Sequence, residues 1–201
     1  ARNARQYVTS ILSLHKSMDF NCKLCRWAND ERNPNNCTFY NQALNTIFNP
    51  AGRSYPYLKG FIEFDISRHD ISKNITVKIC DARVVDTFCD YWITDPPYED
   101  AINYHELSEF FLAWDKRLLQ EAFPEWYTDS KRVLAVHGDE HFSQTMIEIY
   151  TNLASHMLDD GIQVVMFTHS DPAVWAQLAL IMWKSGLRVT AAWNIATETD
   201  A

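Results

Sequence analysis

The sequence predicts an α/β fold with a loop-rich N-terminal appendage, and three observations support this expectation. The 201 residues are 47% hydrophobic, which is enough to build the core of one domain. From residue 74 onward, short apolar runs alternate with longer segments of helical periodicity, as in layered α/β sheets. One run ends in Asp95-Pro96-Pro97-Tyr98, a turn beyond the carboxyl end of a strand, where such sheets bind ligands. We expect two domains, residues 1–73 and 74–201.

The first domain is expected to be one helix followed by loops. Apolar side chains recur at spacings of three and four over residues 1–18, which predicts a helix that buries Tyr7, Ile11, Leu14 and Met18. Asn and Pro are frequent over residues 33–57, where we expect a connector around a short helix at 42–48. Alternation of apolar and polar residues predicts a short strand at 61–66.

The second domain is expected to contain seven elements, in the order strand, strand, helix, helix, strand, helix, strand. They are strands at residues 75–79, 91–94, 162–168 and 187–196, and helices at residues 104–123, 141–158 and 172–184. The run at 162–168 is interpreted as continuously apolar, which predicts a strand buried on both faces. The helix at 104–123 is expected to bury a stripe of Leu107, Phe111, Trp114 and Leu118. The helix at 141–158 is expected to bury Met146, Tyr150, Leu153 and Met157.

Capping residues mark the ends of these helices. Asp171, followed by Pro172, is expected to cap the start of the last helix. Gly161 and Gly186 are expected to cap the C-termini of the helices that precede them.

The charge distribution argues against a chain that binds nucleic acid unaided. The net charge is −8, with +5 on residues 1–80 and −13 on the remainder. Phosphate contacts depend on Lys and Arg, so most contacts to a nucleic-acid substrate would come from residues 1–80 or from a surface outside the chain.

The expected compartment is the cytoplasm. No apolar run approaches the roughly 18 residues of a membrane span, and no signal-peptide pattern opens the chain. The five cysteines are an odd number, which favours a reducing environment over a disulfide framework.

Three cysteines in the first domain suggest a zinc site. Cys22 and Cys25 are two residues apart, and a tight turn brings both thiolates of such a pair to the same side. A structural zinc site needs four ligands, usually from two such pairs. Here Cys37 is the single cysteine at the position of the second pair. The fourth ligand would come from His15, His69 or outside the chain. The alternative is a metal-free knuckle held by neighbouring aromatic side chains.

The turn after residue 94 carries groups that suit chemistry on a nucleobase. Pro96 and Pro97 lack an N–H, so the strand ends there and the turn is stiff. An exocyclic amine must become pyramidal before it accepts a methyl group. The Asp95 carboxylate and the Pro96 carbonyl are acceptors for its two hydrogens, and charge-assisted hydrogen bonds contribute about 1.5–3 kcal/mol each. Tyr98 offers its face to a base that has left the duplex stack, so we expect the turn to hold a flipped base.

Asp95-Pro96-Pro97-Tyr98 resembles the catalytic motif of S-adenosylmethionine-dependent DNA methyltransferases that act on amino groups. The motif is followed by Asn103-Tyr104 and by Leu107-Ser108-Glu109-Phe110-Phe111, and residues 165–175 and 186–193 follow the same pattern later in the chain. This context resembles a family of bacterial and archaeal adenine-specific DNA methylases described as containing a zinc ribbon. Members of that family often occur in phage-defence gene clusters. The resemblance covers residues 75–199 and is looser before them.

The resemblance implies a partial Rossmann-like methyltransferase sheet and N6-methylation of a flipped adenine in DNA, in restriction-modification or antiviral defence. It implies that Asp95, Pro96, Pro97 and Tyr98 are catalytic. Asp81 and Ala82, together with Asp95, would contact S-adenosylmethionine, although an acid that caps a turn is the alternative for Asp81. The walls of the substrate pocket would include Asn103, Tyr104 and His169.

The expected cofactor loop is missing from the sequence. Methyltransferases of this type bind the methionine end of the cofactor on a Gly-rich loop, whereas the glycines here are far apart, at Gly52, Gly60, Gly138, Gly161 and Gly186. We therefore expect a piece of a longer polypeptide, or a subunit whose partner supplies that loop.

Two other functions remain open. The first is an RNA guanine amino-methyltransferase, because some of these enzymes use a very similar four-residue motif. The second is a catalytically silent module that binds nucleic acid or a partner protein and lacks the cofactor loop.

Overall fold

The computed structural model describes the chain in eight segments, and the account below concerns these residues. They are residues 4–22, 24–25, 37–39, 59, 74–97, 104–126, 129–130 and 134–195. By its internal contacts the chain divides into two compact units, Ala1–Ile79 with Asn103–Val133, and Cys80–Ile102 with Leu134–Ala201. This division groups residues 103–133 with the N-terminal segment, whereas the sequence boundary at residue 74 places them in the second domain. The expected helix at 42–48 and strand at 61–66 lie outside the described residues.

The first unit contains two helices, α1 (Ala4–Asn21) and α2 (Tyr104–Ala122). Both agree with the helices that periodicity predicts. Ile11 and Met18 of α1 are buried as expected, and the ring of His15 pairs with the buried carboxylate of Asp115 in α2. The stripe expected on α2 is not fully buried, because Leu107, Phe111 and Leu118 are half-buried and Trp114 is 60% exposed. Leu112 and Asp115 are the buried residues of α2, so the buried face is rotated toward the pairing with His15.

The second unit is a mixed α/β structure with a parallel pair of strands. It contains β1 (Cys89–Thr94), α3 (Phe142–Ser155), β2 (Met157–Val165) and α4 (Pro172–Lys184), and a short 3-10 turn over Ala82–Val84 precedes β1. The two strands pair in register from Tyr91↔Ile162 to Thr94↔Val165. The α/β class expected from the sequence is therefore confirmed at this level.

The core of the second unit lies on one face of this sheet. Side chains of α3 and α4 form a buried cluster of Phe142, Met146, Tyr150, Leu153, Ile181 and Met182. Trp92 of β1 and Val165 of β2 pack against this cluster from the sheet. Met146, Tyr150 and Leu153 repeat at spacings of four and three along α3, which is why helical periodicity identified them correctly. Met157, the fourth residue expected on that face, is instead the first residue of β2.

Two of the four expected strands are not formed. Residues 74–80 and 187–195 have no strand structure in the described part of the chain, and Ile75 and Val77 are exposed. The other face of the β1–β2 pair is also open, since Ile93 is 67% exposed and Ile162 is 51% exposed. The prediction that strand 162–168 is buried on both faces is therefore wrong, because α3 and α4 cover one face alone among the described residues.

Gly161 does not cap a helix, so that expectation is wrong as well. Helix α3 already ends at Ser155, and Gly161 lies within β2. Cys89 pairs with Met157 and Tyr91 pairs with Ile162, so the strand register shifts and residues 158–161 of β2 lie opposite Asp90 alone. A Cβ at Gly161 would lie 2.3 Å from the Met157 Cγ and 3.0 Å from the Asp90 carbonyl oxygen. The Leu158 carbonyl oxygen of the same strand would lie 2.9 Å away, so the backbone around this position requires glycine.

The caps expected for the last helix are confirmed. The Asp171 carboxylate accepts a hydrogen bond from the Ala173 N–H at 2.8 Å at the start of α4. Gly186 follows the helix with φ of 81°, a left-handed conformation that favours glycine. None of the described helices is long and apolar enough to cross a membrane.

Candidate functional site

The turn after β1 presents an acid on a rigid support. Asp95 is exposed, while Pro96 directly after it is buried. Pro96 and Pro97 lie against apolar side chains of α3 and α4, around a cavity of about 10 Å³ that is too small for more than one water molecule. The prolines thus anchor the turn on the core, and the space behind them does not hold a substrate. Tyr98 lies outside the described residues.

A polar network fixes the residue just before Asp95. The Gln163 amide donates to the Thr94 Oγ1 at 2.9 Å, and the Tyr150 hydroxyl lies 3.2 Å from the same oxygen. The Thr94 hydroxyl donates to the Val164 carbonyl at 3.4 Å, and the Met166 N–H donates to the Thr94 carbonyl at 2.8 Å. Hydrogen bonds therefore fix both the side chain and the main chain of Thr94.

Asp95 is close enough to this network to affect it electrostatically. Burial raises the pKa of the Tyr150 hydroxyl, and the charge of Asp95 raises it further. No hydrogen bond to the Asp95 carboxylate is formed within the described residues. The carboxylate therefore remains available as an acceptor for a ligand.

Sequence reasoning missed Tyr150 and Gln163 as parts of the site. Tyr150 was predicted correctly as a core residue, but its hydroxyl needs a partner when it is buried, and that need was a usable signal. Gln163 interrupts the run that was interpreted as continuously apolar. A polar side chain inside a buried strand is the feature that points to such a network.

Asp81 is engaged by its own neighbour. Its carboxylate accepts a hydrogen bond from the Arg83 N–H at 2.9 Å, which caps the 3-10 turn. The Arg83 guanidinium donates to the same carboxylate at 2.6 Å and holds the pKa of Asp81 below its usual range. This is the arrangement of an acid that caps a turn, the alternative already open from the sequence.

The structure does not bring Asp81 and Ala82 together with Asp95. Asn152, in the last turn of α3, donates to the carbonyl oxygens of Ala82 and Val85 at 3.0 Å each. That end of α3 adjoins the start of β1, since the Cys89 N–H donates to the His156 carbonyl at 3.1 Å. The other end of α3 carries Phe142, which lines the cavity behind Pro96. The 3-10 turn therefore lies at the amino ends of the strands, and Asp95 lies at their carboxyl ends.

The residues expected to line the substrate pocket fall in different places. His169 follows β2 on the same edge of the sheet as Asp95, and its Nδ1 accepts a hydrogen bond from the Asp171 N–H at 2.9 Å. Its carbonyl accepts a hydrogen bond from the Trp175 indole at 2.9 Å, so His169 helps to start α4. Tyr104 is the first residue of α2 in the other unit and is 59% exposed. Asn103 lies outside the described residues.

Cys22 and Cys25 of the first unit lie close together. The Cys22 and Cys25 sulfurs lie 3.9 Å apart, and the Leu24 N–H donates to the Cys22 sulfur at 3.3 Å. Two thiolates on a tetrahedral zinc ion, each about 2.3 Å from the metal, would lie at a similar separation. The Thr38 hydroxyl, next to Cys37, lies 3.0 Å from the Cys22 sulfur and 3.4 Å from the Cys25 sulfur. Burial raises the pKa of the Cys25 and Cys37 thiols, which opposes the thiolate form that a metal needs.

The described residues do not form a complete zinc site. Within them, no group of three His, Cys, Asp or Glu side chains is close enough to hold a metal ion. Cys22 and Cys25 have the separation of a zinc-binding pair, and the remaining ligands would have to come from other parts of the chain or from outside it.

The same test applies to S-adenosylmethionine. Among the described residues, the Asp81 carboxylate is occupied by Arg83 and lies at the far end of the sheet from Asp95. The described residues therefore do not form the cofactor site that the resemblance implies. No family model, curated protein or solved structure matches the chain, so a functional interpretation rests on these residues.

Proposed function

We propose that this chain supplies the base-binding half of an S-adenosylmethionine-dependent DNA methyltransferase that acts on the N6 amine of adenine. The observation that carries the proposal is the exposed carboxylate of Asp95, which has no hydrogen-bond partner among the described residues and lies on a stiff turn at the carboxyl end of a parallel strand. Resemblance of the Asp95–Tyr98 motif to the amino-group methyltransferases supports the same function.

Asp95 would act on the amine as an orienting acceptor. Its carboxylate would accept a hydrogen bond from one N–H of the amine, and the Pro96 carbonyl would accept a hydrogen bond from the other. Both hydrogen bonds favour the pyramidal nitrogen that attacks a methyl group. Pro96 is packed on the core, so these acceptors do not have to be ordered when the base binds. The cofactor, when bound, supplies the methyl group.

The cofactor side would come from elsewhere. We propose that further segments of the same protein, or a partner subunit, carry the Gly-rich loop that holds S-adenosylmethionine. DNA would be gripped mainly by the first unit or by that partner, because the chain as a whole carries a net charge of −8. Restriction-modification or antiviral defence in the cytoplasm is the biological setting that the resemblance suggests.

A second candidate is a catalytically silent module that binds nucleic acid or a partner protein. The separation of Asp81 from Asp95 favours it, because the two acids expected to share one cofactor pocket lie at opposite ends of the sheet. The free carboxylate of Asp95 favours the enzyme, since a silent module has no need to keep an acid exposed on an anchored turn.

Calorimetry with S-adenosylmethionine, followed by a methyl-transfer assay on DNA, distinguishes the two. Asp95→Asn keeps the shape of the side chain and removes its charge, so we expect transfer to fall about ten- to a hundredfold, the equivalent of one charge-assisted hydrogen bond. Asp159→Asn is the matched control, because Asp159 is an exposed acid in the part of β2 nearest the amino ends of the strands. Equal activity of Asp95→Asn and the control would contradict the proposal. Absence of cofactor binding and of transfer, both alone and with partner subunits, would favour the silent module.

A further inference from the structure

The polar network at the end of β1 has a defined direction, because each hydroxyl carries one proton. The Gln163 amide can only donate to the Thr94 Oγ1, and the Thr94 hydroxyl donates its proton to the Val164 carbonyl. The Thr94 oxygen can then accept a second hydrogen bond, so the Tyr150 hydroxyl is the donor across their 3.2 Å contact. All three side chains are satisfied in this arrangement.

The network joins three elements at one point. Thr94 ends β1, Gln163 and Val164 belong to β2, and Tyr150 belongs to α3 and is 1% exposed. The residue that follows Thr94 is Asp95, and the two residues after that are prolines with no N–H to contribute. Backbone N–H groups of these two residues therefore cannot fix the turn beyond Asp95, and we expect its direction to depend on Thr94 before it and on the packing of Pro96 and Pro97 against the core.

We infer that Thr94 is the positioning residue of the site, and that Tyr150 and Gln163 hold its hydroxyl so that Asp95 is presented in one direction. This inference rests on the proposed function for its catalytic consequence. Its structural part stands independently, because it concerns how firmly the turn is held. Thr94, Tyr150 and Gln163 would act through Asp95 and would not touch the substrate.

The test compares three substitutions that change hydroxyl groups. Thr94→Val keeps the shape and removes the hydroxyl, while Thr94→Ser keeps the hydroxyl and removes the methyl group. Ser185→Ala removes another buried hydroxyl, which donates to the Ile181 carbonyl at 2.8 Å beyond the far end of α4. Ser185→Ala therefore reports the general cost of losing a buried hydrogen bond away from the turn.

The first measurement is amide hydrogen exchange, which needs no activity. The Met166 N–H donates to the Thr94 carbonyl, so its exchange reports on the turn, and the Leu153 amide in α3 reports on the unit as a whole. We expect Thr94→Val to speed Met166 exchange about tenfold relative to Leu153, Thr94→Ser to restore it, and Ser185→Ala to leave the ratio unchanged. An unchanged ratio in Thr94→Val would overturn the inference.

The second measurement is methyl transfer, with kcat and KM determined separately. Misplacement of a catalytic group by about 1 Å costs on the order of a hundredfold, so Thr94→Val should lower kcat about ten- to a hundredfold with KM for DNA little changed. Thr94→Ser should recover most of that loss. A loss confined to KM would overturn the positioning role. If the unsubstituted protein transfers no methyl group, the proposed function fails, and the exchange ratio still decides whether Thr94 holds the turn.

Discussion

The two ends of the β1–β2 sheet differ in how their polar groups are used. At the amino ends, Arg83 occupies the Asp81 carboxylate, and Asn152 occupies the carbonyl oxygens of Ala82 and Val85. At the carboxyl ends, the network around Thr94 is satisfied internally, and the next residue, Asp95, keeps an exposed carboxylate. Both acids follow an apolar run in the sequence, and both were expected to belong to one site.

The difference shows that the position of an acid after a strand does not by itself define a site. An arginine two residues beyond Asp81 is close enough to form an ion pair and a capped turn with it. Two prolines beyond Asp95 can do neither, because proline has no N–H and no charge. Substitutions at the amino ends should therefore change stability and leave the chemistry alone, whereas substitutions at the carboxyl ends should change the chemistry more than the stability.

The largest expected effect on stability at the amino ends is that of Gly161→Ala. The new Cβ would meet the Met157 Cγ at 2.3 Å, the Leu158 carbonyl oxygen at 2.9 Å and the Asp90 carbonyl oxygen at 3.0 Å. Met157 can move, but the two carbonyl oxygens belong to the backbone of the paired strands. We expect a loss of about 1–3 kcal/mol in the free energy of unfolding, measured by urea denaturation.

Gly186→Ala is the matched control for this prediction. No atom lies within 4 Å of a Cβ at Gly186, so the cost there comes from its φ of 81° alone. We expect about 1 kcal/mol for that conformational strain. A Gly161→Ala variant as stable as the unsubstituted protein would show that the two strands do not approach each other so closely.

Asp81→Ala is expected to have a smaller effect. The substitution removes the cap of the 3-10 turn, for which a loss of about 0.5–2 kcal/mol is typical. The ion pair with Arg83 adds less, because it lies near the surface. The pKa of Asp81 is lowered in the folded state, so its contribution is complete above the ordinary pKa of about 4 and is lost as the pH falls.

Calorimetry with S-adenosylmethionine decides whether Asp81 has a second role. If Asp81 only caps the turn, Asp81→Ala should unfold more easily at pH 7 and bind the cofactor as the unsubstituted protein does. Loss of cofactor binding in a folded Asp81→Ala variant would instead support the contact with S-adenosylmethionine that the resemblance implies.

The elements that the sequence predicted well are those with local causes. Helices α1, α2 and α4 follow from apolar spacing and caps, and β1 ends where the prolines begin. The strands expected at 75–79 and 187–196 are different, because a strand forms only when another strand pairs with it, and the sequence of one segment does not name its partner.

The misassignments near the site also concern long-range contacts. Gly161 was expected to cap a helix and is instead required by close contacts in the strand pair, with Met157 and Leu158 of its own strand and with Asp90, more than 70 residues earlier in the chain. Gln163 lies in a run that was interpreted as continuously apolar, and it bonds to Thr94 across the strand pair. Apolar spacing and capping rules do not identify strand pairing, on which both roles depend.

The smallest expected effect at neutral pH belongs to the carboxyl ends, where Tyr150→Phe removes one hydroxyl. Losing its hydrogen bond to Thr94 should cost about 1 kcal/mol at pH 7. The pKa of Tyr150 is raised by burial and by the charge of Asp95, so the folded state keeps this proton when the unfolded chain, with an ordinary pKa of about 10, has lost it. Stability should therefore fall as the pH rises above about 10, and below that pH the hydroxyl should contribute no pH dependence.

Urea denaturation at several alkaline pH values measures this loss. Tyr150→Phe should show a flatter decline above pH 10 than the unsubstituted protein, because the group that resists ionisation is gone. Tyr91→Phe is the control, since Tyr91 is 64% exposed on β1, and this variant should keep the decline. Asp95→Asn should also flatten it in part, because the charge that helps to hold the proton on Tyr150 is removed while the burial remains. Equal slopes in Asp95→Asn and the unsubstituted protein would mean that the carboxylate of Asp95 is not presented beside Tyr150, and the direction inferred for the turn would then be wrong.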